Sequence, residues 1–250
     1  MKLTSLLTIA ALAGTMPLFA AEKYESSGFS AEIGGSGVIR NLKFAGMPLA
    51  TSIGINGQYE LPPGTEKYDS RFFQAWDYSN KAQFKREGAK LTVTVDSTFS
   101  NTKLKDAAAY KMVCVLEPEK IKISCEVTQK TALQTTLRLF SSHILMPPSL
   151  FGRGVKVLTR NNQEEFKVLP ETYNPKFRLD GKSFSLSTEK GILTLSGGKD
   201  VTFGFMDSRM WGGKDFSLIA NPFGKWTPKP VTHPAGTVWK WEFTLTFQPE

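Results

Sequence analysis

Between Trp239 and Phe247 every second residue is large and apolar: Trp239, Trp241, Phe243, Leu245 and Phe247, with Lys240, Glu242, Thr244 and Thr246 between them. Successive side chains of an extended chain point to opposite faces, so this run offers one face to a core and one to water. Leu91, Val93 and Val95 alternate in the same way with Thr92, Thr94 and Asp96, and Val201, Phe203 and Phe205 repeat the pattern. The 3.6-residue period of an amphipathic helix is nearly absent. The one stretch of good helix formers, Leu104 to Met112, is short and runs straight into a strand-like segment.

Turn chemistry punctuates these runs. Asn56-Gly57 and Asp180-Gly181 have the composition of two-residue hairpin turns, and Glu189-Lys190-Gly191 and Gly197-Gly198 suggest two more reversals. Roughly a dozen short strands at hairpin spacing, with no crossover helices, predict an all-β antiparallel β-sandwich and exclude a parallel α/β fold. Gly34-Gly35-Ser36-Gly37 superficially matches a dinucleotide loop, but no helix follows to supply an anion-binding N-terminus, and it reads as a turn.

Residues 1–20 have the pattern of a secretory signal peptide: Lys2, an apolar run from Leu6 to Ala13, and small residues around Ala20. The apolar stretch falls short of a bilayer span, and no later segment is apolar enough to cross. The expectation is an extracytoplasmic chain, periplasmic or secreted, with residues 21–250 forming one β-sandwich domain. Cys114 and Cys125 flank Glu117-Pro118-Glu119-Lys120 with a parity that puts both on one face. They are either a disulfide across a hairpin or two buried free thiols. The formal net charge is +8 with scattered lysines and arginines, which suits a basic surface or a field attracting acidic glycans. Nucleic acid is not an expected partner outside the cytoplasm.

Zinc-binding His-Glu-x-x-His, the Gly-x-Ser-x-Gly elbow, phosphate loops and Cys-x-x-Cys are all missing, so no cofactor is expected and no metal site is legible, although calcium held by loop aspartates needs no fixed spacing and leaves no such motif. The chain has two histidines. His143 follows the strand-like Leu137-Arg138-Leu139-Phe140 and precedes Met146-Pro147-Pro148, which suggests a strand end beside a loop. His233 precedes the last strand and reads as structural. Asp77, Asp207 and Asp215 are carboxylates among aromatics; a glycosidase would need two such groups close together. Aromatics mixed with arginine, able to stack on sugar rings and bond hydroxyls, occur in two segments. One holds Arg71, Trp76 and Tyr78; the other holds Arg209, Trp211 and Trp226. Leu61 to Asp69 and Trp211 to Gly236 read as long loops of the kind that carry sites.

Gly35-Ser36-Gly37-Val38-Ile39-Arg40-Asn41-Leu42-Lys43-Phe44-Ala45-Gly46-Met47-Pro48-Leu49 resembles the opening hairpin of galactose-mutarotase-like supersandwich domains. Pro234-Ala235-Gly236 before a long alternating strand is similar to the approach to their final strand. The resemblance implies a supersandwich and a carbohydrate-directed role. Neither His143 nor His233 sits in the family's pattern of two histidines and a carboxylate, so it implies a binding or accessory role, or a hydrolase or lyase, rather than epimerisation.

Three functions follow as alternatives. The first is a carbohydrate-binding sandwich, for a glycan of acidic character, with Arg71, Trp76, Tyr78, Arg209, Trp211 and Trp226 lining the groove. The second is a glycoside hydrolase or polysaccharide lyase on the same scaffold, with His143, Tyr173 and Asp207 as catalytic candidates. The third is a structural envelope protein without glycan affinity.

Overall fold

The computed structural model describes residues 22–59, 72–74, 81–101, 103–135, 140–207, 209, 214–221 and 230–249. Two nine-stranded sheets pack face to face. Sheet A runs β1 (Glu22–Glu25), β2 (Phe29–Ile33), β3 (Ile39–Phe44), β4 (Met47–Gln58), β11 (Phe140–Met146), β18 (Phe216–Asn221), β17 (Thr202–Asp207) and β14 (Arg178–Gly181), with β5 (Phe72–Gln74) also on β4. Sheet B runs β13 (Glu164–Val168), β12 (Gly154–Leu158), β15 (Ser183–Thr188), β16 (Gly191–Gly197), β20 (Val238–Pro249), β9 (Lys120–Gln129), β8 (Ala108–Glu117), β7 (Lys90–Phe99) and β6 (Gln83–Glu87). A short ribbon pairs β10 (Leu133–Thr135) with β19 (Val231–His233). The architecture is the all-β sandwich that the alternation predicts, with more and shorter strands than a dozen.

The inward residues of both sheets form one apolar cluster, in which all five alternating residues of β20 are buried. Phe99 stacks on Phe140, Phe29 on Phe247, and Phe203 meets Phe243 edge-on across the sheets. Fully burying side chains of this size contributes about 1.5–3 kcal/mol each before the entropy of ordering the chain is set against it. Two buried polar contacts lie in the same interior, the first between the sheets and the second within sheet B. Trp241 Nε1 donates to Ser142 Oγ at 2.9 Å, and Trp239 Nε1 donates to Gln129 Oε1 at 2.7 Å.

The opening hairpin forms as expected, with β3 turning into β4 through Ala45 (φ 46°) and Gly46 (φ 84°). Positive φ at both central residues matches the right-handed twist of the flanking strands. Two expected turns are not turns. Asn56-Gly57 lies inside β4, where the Phe73 and Phe140 rings press on Gly57 so closely that a Cβ there would come within 2.9 Å of either. Asp180-Gly181 ends β14 just before the chain passes to sheet B, and Gly181 is pressed against Leu158 O and Val157. Both glycines answer close packing rather than a reversal. Leu104 to Met112 feeds β8 and forms no helix.

Cys114 and Cys125 are free. The tight β8–β9 hairpin pairs Cys114 with Ile123 and Cys125 with Met112, so the sulfurs sit diagonally rather than opposite, and the disulfide alternative falls. Burial pushes the Cys125 thiol up to about 12 and raises that of Cys114 as well. Among the described residues, no helix is long and apolar enough to cross a membrane.

Candidate functional site

Ser142 faces the sandwich interior, where it meets Trp241, so its neighbours Ser141 and His143 face outward from sheet A. His143 is not at a strand end. It occupies the middle of β11, paired with Gly54 of β4 on one side and Ile219 of β18 on the other. Ile219 in turn faces Gly204 of β17. Glycines at 54 and 204 leave the strands next to His143 and Ile219 without side chains, and both glycines are buried.

The adjacent cross-strand row is polar throughout. Asn56 pairs with Ser141, Asn221 pairs with Thr202, and the β11–β18 register continued by one residue sets Ser141 beside Asn221. Ser141, Asn56 and Asn221 are each less than a tenth exposed. His143 Nε2 and Ser141 Oγ are 3.1 Å apart, joining the two rows. Asn56 Oδ1 is shut off from solvent and has no hydrogen-bond partner among the described residues. A buried acceptor left in that condition costs about 1–3 kcal/mol, so such atoms call for an explanation in an incoming donor.

Asp207 lies on the other side of the sheet, in line with the inward Phe203 and Phe205 at the end of β17. It is completely buried. Its Oδ1 accepts from Arg209 Nε at 2.8 Å and from the Arg209 backbone N–H at 3.2 Å. Its Oδ2 accepts from Arg209 Nη2 at 2.6 Å and the Asn174 N–H at 3.1 Å. Burial pushes this carboxyl up, but the guanidinium and the two N–H groups outweigh it and hold the carboxyl below its usual range. Arg209 also donates to the carbonyls of Glu171 and Pro170 and stacks over Phe151, 4.4 Å from the ring centre. Together these contacts tie the 169–177 loop to the end of β17.

The sequence-expected residues therefore separate. Arg209 spends its donors on Asp207 and the loop rather than on an open groove. Asp207 is a buried carboxylate held by the Arg209 guanidinium and two backbone N–H groups. Tyr173 is 47% exposed in the loop that Arg209 ties down. His233 lies in the small ribbon, edge-on to Trp239, with its imidazole pKa lowered by burial. Asp215 sits just before β18 and accepts from Thr51 Oγ1. Arg71, Trp76, Asp77, Tyr78, Trp211 and Trp226 lie outside the described residues, as do residues 1–20, expected to be a signal peptide. Asn56, Ser141 and Asn221 escaped sequence reasoning because they belong to three strands far apart in the chain. Among the described residues, no group of three or more His, Cys, Asp or Glu is placed to hold a metal ion.

No family model matches the chain, and no curated protein matches it in sequence. Solved structures do match in shape. A protein from Synechocystis sp. PCC 6803 superposes with a TM-score of 0.56 at 10% identity, over 92% of this chain and 96% of its own. A galactose mutarotase-like protein from Lactobacillus casei ATCC 334 gives 0.56 at 11% identity, over 92% and 100%. Galactose 1-epimerase from Lactobacillus acidophilus NCFM gives 0.55 at 8% identity, over 92% and 98%. These superpositions show the fold alone: the chain has the galactose mutarotase-like fold.

Proposed function

We propose that this protein is an exported carbohydrate-binding β-sandwich that receives sugar hydroxyls on the outer face of sheet A, at His143 and the polar row beside it. The observation that carries the reading is Asn56 Oδ1, without a hydrogen-bond partner among the described residues, next to the Ser141–His143 pair. Amide, imidazole and hydroxyl groups set in a sheet floor suit hydroxyl donors and acceptors, and a rigid floor fixes their spacing. The described residues support binding over catalysis. Proton transfer to a sugar needs an acid and a base on the same side, and the Asp207 candidate is on the opposite face. Asp180 shares the outward face but stands three strands from His143, about 14 Å at the usual spacing of neighbouring strands. The leader supports export. The net charge of +8 supports acidic glycans, through a field that salt screens.

The test is electrophoresis of the purified chain in native gels cast with individual neutral or acidic polysaccharides. Asn56→Ala and His143→Ala run alongside, and a salt series separates field from contact. Retardation weakened about tenfold by either substitution, with both variants melting near the parent, is the expected result. Unretarded migration in every gel would sink the carbohydrate reading. Retardation indifferent to both substitutions would move the site elsewhere, and cleared polymer would make the protein an enzyme.

A further inference from the structure

The edge strand β13 is exposed at every residue, and among the described residues it pairs with β12 alone. Phe166 is 71% exposed and Val168 54%, on the outer side of the sheet. The ring of Phe166 lies over Gly154 of β12, where any Cβ would collide with it, so an exposed aromatic is held in place at an open sheet edge. The other end of sheet B is guarded differently. Arg86 of β6 is bound to Glu22 and to the Lys23 carbonyl, and its flanking residues are charged. Bare edges invite strand addition, and Phe166 does nothing to discourage it.

The direction of the unused backbone groups is fixed by the bonds that are made. Thr159 N–H donates to Gln163 O, and Leu169 N–H donates to Arg153 O. Antiparallel pairs alternate, so 163, 165, 167 and 169 turn toward β12, while Glu164, Phe166 and Val168 turn their N–H and C=O to the free edge. A partner strand would meet the outward-turned set.

We infer that this edge joins a second copy of the same chain, β13 against β13, antiparallel about a two-fold axis at Phe166. The sequence Glu164-Glu165-Phe166-Lys167-Val168 is complementary to itself in that register. Phe166 meets the partner's Phe166, and each Glu164 meets the partner's Val168, all with backbone groups pointing outward. Glu165 of each copy falls opposite the partner's Lys167 at the positions between, where facing side chains approach most closely. Within one copy Lys167 pairs with its own Glu165, at 3.1 Å, both side chains roughly half exposed. An isologous contact of this kind closes on itself and leaves no edge to propagate. It merges two nine-stranded sheets into one.

Sedimentation velocity over a concentration series tests this on the purified chain. The parent should pass from the mass of one chain to that of two. K167E sets like charges opposite each other across the axis and should weaken association about tenfold or more, and adding E165K should restore it. F166P removes an outward N–H without touching the bonds to β12 and should also abolish the dimer. Melting curves confirm that each variant is folded. If F166P does not fold, the charge swap still decides the question. A single-chain mass at every concentration overturns the inference, and so does a dimer that ignores both K167E and its rescue.

Discussion

His143 and Asp207 stand on opposite faces of one sheet, His143 outward in the middle of β11 and Asp207 inward at the end of β17. Set on opposite faces, the two should act independently. His143→Ala should weaken glycan retention and leave the melting temperature almost unmoved. Asp207→Asn should do the reverse. In the double variant the effects on stability should add within about 0.5 kcal/mol, measured by urea unfolding. A coupling well above that would contradict the two-face geometry.

Acid stability should depend on Asp207. Its folded pKa lies below its unfolded value, so its contribution is complete above the unfolded carboxylate range, about pH 4. That contribution is lost as pH falls from there through the folded value. Asp207→Asn should flatten this limb of the stability–pH curve while lowering the plateau. A limb of unchanged steepness in the variant would show that other carboxylates govern acid unfolding.

Removing the cation is a harsher change than neutralising the anion. Arg209→Ala leaves a fully buried carboxylate without its guanidinium and frees the 169–177 loop. Breaking a buried pair in this way costs about 3–5 kcal/mol. The measurement is urea unfolding of the variant against the parent, and a loss below about 1 kcal/mol would mean that the loop closes by other contacts.

The thiols give a plain chemical readout. With both cysteines buried and their pKa values raised, an aromatic disulfide reagent at pH 8 should find almost no reactive thiol in the native chain. It should find two after unfolding without reductant. An absence of thiols in the unfolded chain would reinstate the disulfide.

At the opening turn, Ala45 holds a left-handed conformation that asparagine tolerates better. Ala45→Asn should therefore raise stability by about 0.5–1 kcal/mol, seen as a higher melting temperature. A lower melting temperature would mean that the Ala45 methyl has packing worth more than the relief of strain.

The strands were legible because alternation is a local signal: Leu91, Val93 and Val95 declare their face without reference to anything else. The Asn-Gly pair at 56–57 misled for the opposite reason. Its glycine answers to Phe73 and Phe140, neighbours only in the folded chain, and its asparagine belongs to a row completed by Ser141 and Asn221 from β11 and β18. No spacing along the chain announces such a row; strand register assembles it. The pairing of Arg209 with Asp207 was hidden for a similar reason: both residues stand in the sequence, but only the fold buries the carboxylate that the guanidinium meets.

Trp241 donates to Ser142, and Ser142 is covalent neighbour to both Ser141 and His143. The indole thus touches the strand beneath the polar row from below while the row itself looks outward. Its emission is a built-in optical gauge: a sugar settling on the outer face should shift the light from a ring it never meets.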